Sequence, residues 1–296
     1  MDMNIIDGKK ISEELKSEIA LKVSNLIDKG LPAPHLAVIV VGDDGASATY
    51  VQSIEKNCRA TGYLSSVYRF PSSITEESLM EVIDFLNEDP EIDACMIQLP
   101  LPKHISADTV IRRLNPEKDV DCMHPSNMGQ LLLGHPHFLP ATPYGTMLLL
   151  ERANIKVAGK HCVVIGRSNI VGKPLSMLLS QKAENGNGTV TVCHSHTENL
   201  KEVCQSADIL FVAIGKPEMI TAEYVKEGAV VVDIGVHRLP DANSEKGYRI
   251  CGDVAFQEVS KKASAITPVP GGVGQLTMVA LLMNTMKAYE LHHKEK

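Results

Sequence analysis

The sequence predicts an α/β protein of two domains, an N-terminal α/β unit and a second, Rossmann-like unit. Three observations carry that expectation. Short continuous apolar runs alternate with stretches of helical periodicity, the order that builds parallel sheets covered by helices. At 296 residues the chain is long for a single hydrophobic core. Pro and Gly cluster from Pro136 to Gly145, in PHFLPATPYG, which reads as a linker between two such alternations. The expected domains are therefore 1–140, joined by a C-terminal helix over 275–296, and 141–274.

Taken in order, Ile11, Leu15, Ile19 and Leu26 share one helical face between the turn at Asp7-Gly8 and the stop at Lys29–Pro32. HLAVIVVG (35–42) is a buried strand, since a short apolar run bounded by turn residues suits a parallel sheet. A helix over 47–61, a strand in SSVYRF, a helix over 76–87 and a strand in ACMIQLP (94–100) continue the alternation. After the Pro/Gly cluster, HCVVIG, TVTVCH, ADILFVAIG and GAVVVDIG supply four strands of a doubly wound sheet. The last helix, about 275–290, follows the Pro/Gly-rich TPVPGGVGQ, and HHKEK ends the chain as a short polar tail.

Composition excludes several classes. Apolar content of 44% with 22% charged residues is that of a folded globular protein. A net charge of −7 opposes non-specific nucleic-acid binding, and with no Trp there is little for bases to stack on. No apolar run approaches a membrane span, and MDMNIIDGKK lacks the basic-then-apolar order of a signal peptide, so the expected location is the cytoplasm. The seven cysteines are scattered without a CxxC pair, which argues for reduced core residues rather than disulfides or a cysteine zinc site.

HCVVIGRSNIVGKPL places Gly166 at a strand end and Gly172 near a helix start, where backbone N–H groups and the helix dipole can receive a pyrophosphate. It is not a strict GxGxxG, because Ser168 and Val171 stand at the second and third glycine positions. The strand that follows ends in Cys193, His194, Ser195 and His196, with no carboxylate until Glu198 to accept from a ribose 2′-hydroxyl. Arg167 and Ser195 can instead donate to a 2′-phosphate, which favours NADP over NAD.

YV at 50–51, QLPLP at 98–102, NPEKDVD at 115–121, TPYG at 142–145, VVIGRSNIVGKP at 163–174, CHS at 193–195, DIGV at 233–236, GDV at 252–254 and TPVPGGVG at 267–274 resemble the bifunctional methylenetetrahydrofolate dehydrogenase/methenyltetrahydrofolate cyclohydrolase (FolD) family. The matches run in order along nearly the whole chain. The resemblance implies NADP-dependent oxidation of 5,10-methylenetetrahydrofolate, then hydrolysis of the methenyl product to 10-formyltetrahydrofolate, by a homodimer with its site in a cleft between two domains. By position, Tyr50, Gln98 and Asp121 match the family's active-site residues. Gly166, Arg167, Ser168, Ser195 and Val236 match its NADP contacts, and Gly172 joins them from the glycine turn. Leu99 and Pro100 of QLPLP and the loop Pro270, Gly271, Gly272, Val273 and Gly274 match the wall of the folate pocket.

These roles have physical content. One carboxylate at Asp121 can accept two hydrogen bonds from the amino-pyrimidine edge of a pterin. Gln98 ends a buried strand at the carboxyl edge, where ligands meet open α/β sheets. The family's hydrolytic step is associated with a Lys four residues after the Tyr, and here that position is Ile54. A four-residue helical step turns by about 40°, so Tyr50 and Ile54 share a face, whereas Lys56 lies about 240° round from Tyr50 and is a poor substitute. An apolar side chain carries no proton and stabilises no oxyanion, which puts the cyclohydrolase step in question. Cys122, Ala141 and Gln275-Leu276 also depart from the family pattern. No metal site is expected: Asp119 and Asp121 lack the rest of a calcium loop, and Cys193, His194 and His196 alternate across a strand.

Overall fold

The computed structural model describes residues 4–42, 45–242, 244 and 247–293. Its chain separates into two units, one of Met1–Glu13 with Thr142–Thr277, the other of Glu14–Ala141 with Met278–Lys296.

In the second of these, the predicted alternation builds a three-stranded parallel sheet. Its strands are β2 (His35–Val41), β3 (Leu64–Phe70) and β4 (Ala94–Ile97), in the order β3-β2-β4; the two-residue β1 (Asn4–Ile5) precedes them in the other unit. β2 is central and enclosed on both faces, which is why six consecutive apolar residues suit it. Helix α1 (Gly8–Asp28) precedes it, and α2 (Gly45–Thr61) and α3 (Glu76–Glu88) are the crossovers. Thr75 caps α3 by accepting the Ser78 N–H at 3.1 Å, and Leu79, Ile83 and Leu86 repeat at helical spacing to bury its inner face. Beyond α4 (Ala107–Arg113), the KDVD segment runs parallel to β4, with Cys95 bridging Asp119 and the Cys95 N–H donating to the Lys118 carbonyl at 2.6 Å. Lys118 itself is buried and donates from Nζ to the carbonyls of Leu86 (2.8 Å) and Asp89 (2.7 Å), satisfying the open end of α3.

The other unit contains a six-stranded parallel sheet. Its strands are β1, β5 (His161–Ile165), β6 (Thr189–Cys193), β7 (Ile209–Val212), β8 (Val230–Asp233) and β11 (Ala265–Ile266), in the order β1-β11-β8-β7-β5-β6. The four strands expected from the sequence are contiguous and run out to the β6 edge, and the strand order reverses between β5 and β7, the switch point at which such sheets bind nucleotides. An antiparallel hairpin of β9 (His237–Pro240) and β10 (Tyr248–Cys251) follows β8.

Three expectations are corrected. The Pro/Gly cluster is not a linker throughout: α6 (Ala141–Arg152) includes TPYG, and Gly145 is helical because a Cβ there would lie 2.7 Å from the Leu276 backbone. The N-terminal residues up to Glu13 cluster with the dinucleotide-type sheet rather than with 14–140, since β1 pairs with β11 and Gly8 packs on the Gly272 carbonyl. The last helix, α10 (Gly274–His292), is divided, its residues from Met278 belonging with the three-stranded sheet. It is apolar on nearly every side, with Val279, Ala280, Leu281 and Leu282 wholly enclosed. Of the tail HHKEK, residues 294–296 lie outside the described residues.

Candidate active site

Tyr50, Gln98 and Asp121 come from three separate segments, Tyr50 and Gln98 just beyond the carboxyl ends of β2 and β4, and the Asp121 charge acts on the Tyr50 phenol. Tyr50 stands in the second turn of α2, which begins just beyond the end of β2. Gln98 follows β4 directly, its N–H donating to the Ile39 carbonyl of β2 at 2.9 Å. The parallel bridge of Cys95 to Asp119 sets Asp119 against β4, and the chain then turns, the Cys122 N–H donating to the Asp119 carbonyl at 3.2 Å, with Asp121 inside that turn. Gln98 Nε2 donates to the Leu99 carbonyl at 2.8 Å, while its Oε1 is buried with no hydrogen-bond partner among the described residues. An unpartnered buried amide oxygen at a strand end is an acceptor waiting for a donor.

The electrostatics of this edge follow from burial. The Asp121 carboxyl is pushed up to about 6, first by desolvation and then by the neighbouring Asp119 charge. The Tyr50 phenol is raised well above its ordinary value by burial and then by the charge on Asp121, so it is a neutral hydroxyl at physiological pH. Asp119 is a scaffold: its carboxylate accepts the N–H groups of Met123 (3.1 Å) and His124 (2.8 Å) and the Asn127 amide (2.8 Å), shaping the turn into α5 (Pro125–Leu133). Cys122 in that turn has φ 57°, a left-handed conformation in which a side chain is disfavoured, and its thiol donates to the Phe138 carbonyl at 3.3 Å. Ile54 is completely enclosed one turn after Tyr50, and Lys56 is exposed on the outer face beside Gln52, Glu55 and Arg59. Leu99 is half-buried and Pro100 exposed after a cis peptide bond.

In the other unit, Gly166, Arg167, Ser168, Gly172 and Ser195 gather at the switch-point edge. Gly166 has φ 126°, and a Cβ there would strike the Ala213 carbonyl; a Cβ at buried Gly172 would strike the Gly166 carbonyl. Only glycines let β5, β7 and the start of α7 (Gly172–Ser180) approach this closely. Residues 167–170 are exposed, which leaves the loop backbone open to a ligand. Ser168 Oγ accepts the Val171 N–H at 3.1 Å, organising the helix start while its own proton stays free to donate. The Gly166 N–H donates to the Cys193 carbonyl at 2.9 Å, so Arg167 and exposed Ser195 leave adjacent strand ends. The Arg167 charge, after burial, is the next cause that lowers His194, which places the guanidinium beside the end of β6. Val236 is exposed beyond β8. A strand-to-helix glycine turn with an open backbone, a free hydroxyl and a guanidinium fits a phosphorylated dinucleotide. Pro270 to Gly274 forms a tight loop after a second cis bond; Gly271 has φ 110°, Val273 is buried, and the Gly271 carbonyl accepts the Lys9 N–H at 3.1 Å.

Two residues escaped sequence reasoning. Asp253 is wholly buried and accepts the N–H groups of Ile214 (2.7 Å), Gly215 (3.1 Å) and Lys216 (2.9 Å), with His237 Nε2 at 2.7 Å. Asp233 accepts the N–H groups of Gly235, Asp253 and Val254 at 3.0–3.1 Å, and burial pushes it up to about 7 against those bonds. Together they fix the loops after β7 and β8. The signal was present in DIGV and GDV: a Cβ at Gly235 would meet the Asp253 carboxylate, and one at Gly252 the Asp233 carboxylate.

A doubly wound sheet with this glycine turn, joined in one chain to a second α/β unit that carries a polar cluster at its sheet edge, defines a two-domain NAD(P)-dependent enzyme. Residues 6–121 match the catalytic domain, and residues 140–293 the NAD(P)-binding domain, of tetrahydrofolate dehydrogenase/cyclohydrolase. The chain belongs to that family. A curated relative from Porphyromonas gingivalis, bifunctional protein FolD, is 53% identical over 96% of each chain, and one from Cytophaga hutchinsonii is 51% identical over 98% of this chain and 100% of its own. Among solved structures, the bifunctional FolD of Campylobacter jejuni is 44% identical with a TM-score of 0.91, covering 98% of this chain and 99% of its own. The Trypanosoma brucei enzyme, complexed with NADP cofactor and inhibitor, is 35% identical with a TM-score of 0.92 over 98% and 99%.

Proposed function

We propose that this protein oxidises 5,10-methylenetetrahydrofolate to the 5,10-methenyl form with NADP, and hydrolyses that product to 10-formyltetrahydrofolate far less effectively. The observation that supports the reading is the buried, unpartnered Gln98 Oε1 at the end of β4, with the Asp121 charge acting on Tyr50, in a member of this family. NADP, bound at the Gly166–Gly172 turn with Arg167 and Ser195 toward its 2′-phosphate, accepts the hydride. Asp121 accepts from the pterin amino-pyrimidine edge, Gln98 Oε1 takes a donor from substrate or water, and Tyr50 donates from its neutral hydroxyl. Leu99, Pro100 and the loop Pro270–Gly274 supply folate contacts. Holding the methylene carbon in position is the main requirement of the oxidative step.

Hydrolysis asks for more, because water must add to the methenyl carbon and a proton must reach the departing ring nitrogen. Ile54 supplies neither charge nor proton, and exposed Lys56 faces away from Tyr50. That pair of observations favours a dehydrogenase in which the second activity is residual. The assignment extends to a cytoplasmic homodimer; no described helix is long and apolar enough to cross a membrane.

The test supplies purified protein with methylenetetrahydrofolate and NADP and follows NADPH, methenyl and formyl products separately. NADPH formation with methenyl accumulation is expected. Binding of both ligands without NADPH production would sink the enzymatic assignment.

A further inference from the structure

The last turn of α10 holds a group of side chains that the folate chemistry does not use. Asp93, in the residue before β4, is buried, and its Oδ1 lies 2.9 Å from His292 Nδ1 and 3.1 Å from His293 Nε2. Two neighbouring residues on a helix point about 100° apart and do not ordinarily meet at one atom. They do so here because His293 lies just past the last helical residue, and the two rings use different nitrogens. All three ligand atoms fall within 4.8 Å of one another.

We propose that Asp93, His292 and His293 form a site for a divalent d-block cation of the zinc class. A tetrahedral zinc with bonds of about 2.0–2.1 Å separates its ligand atoms by roughly 3.3 Å, so the two carboxylate–imidazole spacings need only a few tenths of an ångström of adjustment, and the two ring nitrogens lie within 4.8 Å of each other. The cation takes the place of two hydrogen bonds: each neutral imidazole gives up the proton on its ligating nitrogen and carries one on the other ring nitrogen instead, exchanged through water, and Asp93 keeps its charge. Asp93 Oδ2 accepts the His35 N–H at 2.9 Å, an outer contact of the kind that orients a ligating carboxylate.

A second observation points to the same corner. The Tyr289 hydroxyl is buried and has no hydrogen-bond partner among the described residues, and its ring lies on that of His293 with centroids 4.3 Å apart. It is an unpartnered donor on a side chain packed against one of the proposed ligands. The approach is acidic: a cavity of about 230 Å³ is lined by Glu88, Asp89, Asp93, Glu117 and His292, with Lys118 the opposing charge. The Lys118 ammonium is already held by two carbonyls at the end of α3. All seven cysteines are buried, so in the folded protein they do not compete for the metal. No motif announces this site in the sequence, because Asp93 stands 199 and 200 residues before the two histidines.

The experiment uses the full-length chain without an affinity tag, stripped with EDTA, titrated with Zn²⁺ by calorimetry and with Co²⁺ by visible absorption. One equivalent of Zn²⁺ per chain is expected, with the intense absorption of low-coordinate Co²⁺ and no competition from Mg²⁺ or Ca²⁺, whose preference is for oxygen ligands. The double variant His292→Ala/His293→Ala should bind at least about tenfold more weakly, with dehydrogenase turnover unchanged. Asp93→Asn should weaken binding similarly. If that variant fails to fold, the double histidine variant is decisive by itself, because its substitutions lie at a helix end. Failure of Zn²⁺ to bind stoichiometrically, or equally tight binding by the double variant, overturns the proposal.

Discussion

Replacing Ile54 with Lys restores a cation on the Tyr50 face of α2, and the structure sets both its benefit and its cost. Ile54 is 0% exposed, so removing it forfeits roughly 2–3 kcal/mol of apolar burial. The lysine stem recovers part of this by covering the same neighbours, leaving a net loss of about 1–2 kcal/mol. At about 2–4 °C per kcal/mol for a unit of this size, Tm should fall by roughly 2–8 °C. The ammonium would be met by Asp121, which is ionised above about pH 6, so the charge has a counter-ion. Supplying one positioned acid–base group is worth about 10²- to 10⁴-fold. Measured as formyl product against NADPH, Ile54→Lys should raise hydrolysis within that range and change dehydrogenation by no more than a few-fold. Two results would refute the reasoning: wild-type formyl production that keeps pace with NADPH after subtraction of spontaneous hydrolysis, or a variant that accelerates both steps alike.

Asp121→Asn should lower kcat/KM for the folate while raising Tm at pH 8 by the equivalent of about 1–2 kcal/mol, allowing for the group's partial exposure. The sign follows from its raised folded-state value: ionising the carboxyl costs the folded state stability as pH climbs from about 4 to about 6, so the variant's advantage should vanish below pH 4 in thermal melts. The wild-type pH profile of kcat/KM should fall below about pH 6 as Asp121 takes up its proton; a profile flat down to pH 5 would remove that residue from the site. Arg167→Ala should weaken NADP about tenfold and leave NAD binding nearly unchanged, by calorimetry, as expected for one charge-assisted phosphate contact. Asp253→Ala strips the buried acceptor from three part-buried N–H groups and from His237, and should cost about 2–3 kcal/mol in denaturant melts, with NADP affinity falling alongside.

The central strands were legible because burial on both faces demands continuous apolar runs, and HLAVIVV and HCVVI leave no other reading. The strand-to-helix turn was legible from Gly166 and Gly172 as a place for a pyrophosphate, and the structure adds a steric reason for both glycines. What stayed hidden depended on distant pairing. β1 and β11 are two-residue strands without periodicity, and each acquires its state only by pairing in the sheet. TPYG looked like a loop because Pro and Gly punctuate chains, yet Gly145 sits in a helix that needs it for close approach to Leu276. Lys118 and Asp119 stood in the charged motif without an assigned role. In the fold they hold the end of α3 and the turn into α5, leaving Asp121 as the carboxylate of that motif whose charge acts on Tyr50.

The sign of the charge at the folate edge bears on which reaction this chain favours. Loss of a hydride from the methylene compound generates a cationic methenyl group, so a transition state that develops positive charge is stabilised by a nearby carboxylate. Asp121, desolvated and mostly ionised at neutral pH, is such a group, and Ile54 provides no cation on the Tyr50 face to cancel it. Addition of water runs the other way: the cation is discharged, a tetrahedral oxygen accumulates electron density, and the same carboxylate opposes it. Tyr50 can donate one hydrogen bond to that oxygen but, with its phenol held neutral by burial and by Asp121, it cannot serve as a phenolate base. An edge that carries carboxylate charge and has an apolar side chain at position 54 is therefore biased toward oxidation. On these grounds Asp121→Asn in the Ile54→Lys background should slow dehydrogenation while sparing much of the regained hydrolysis. Equal losses in both steps would mean that Asp121 acts by positioning the pterin alone.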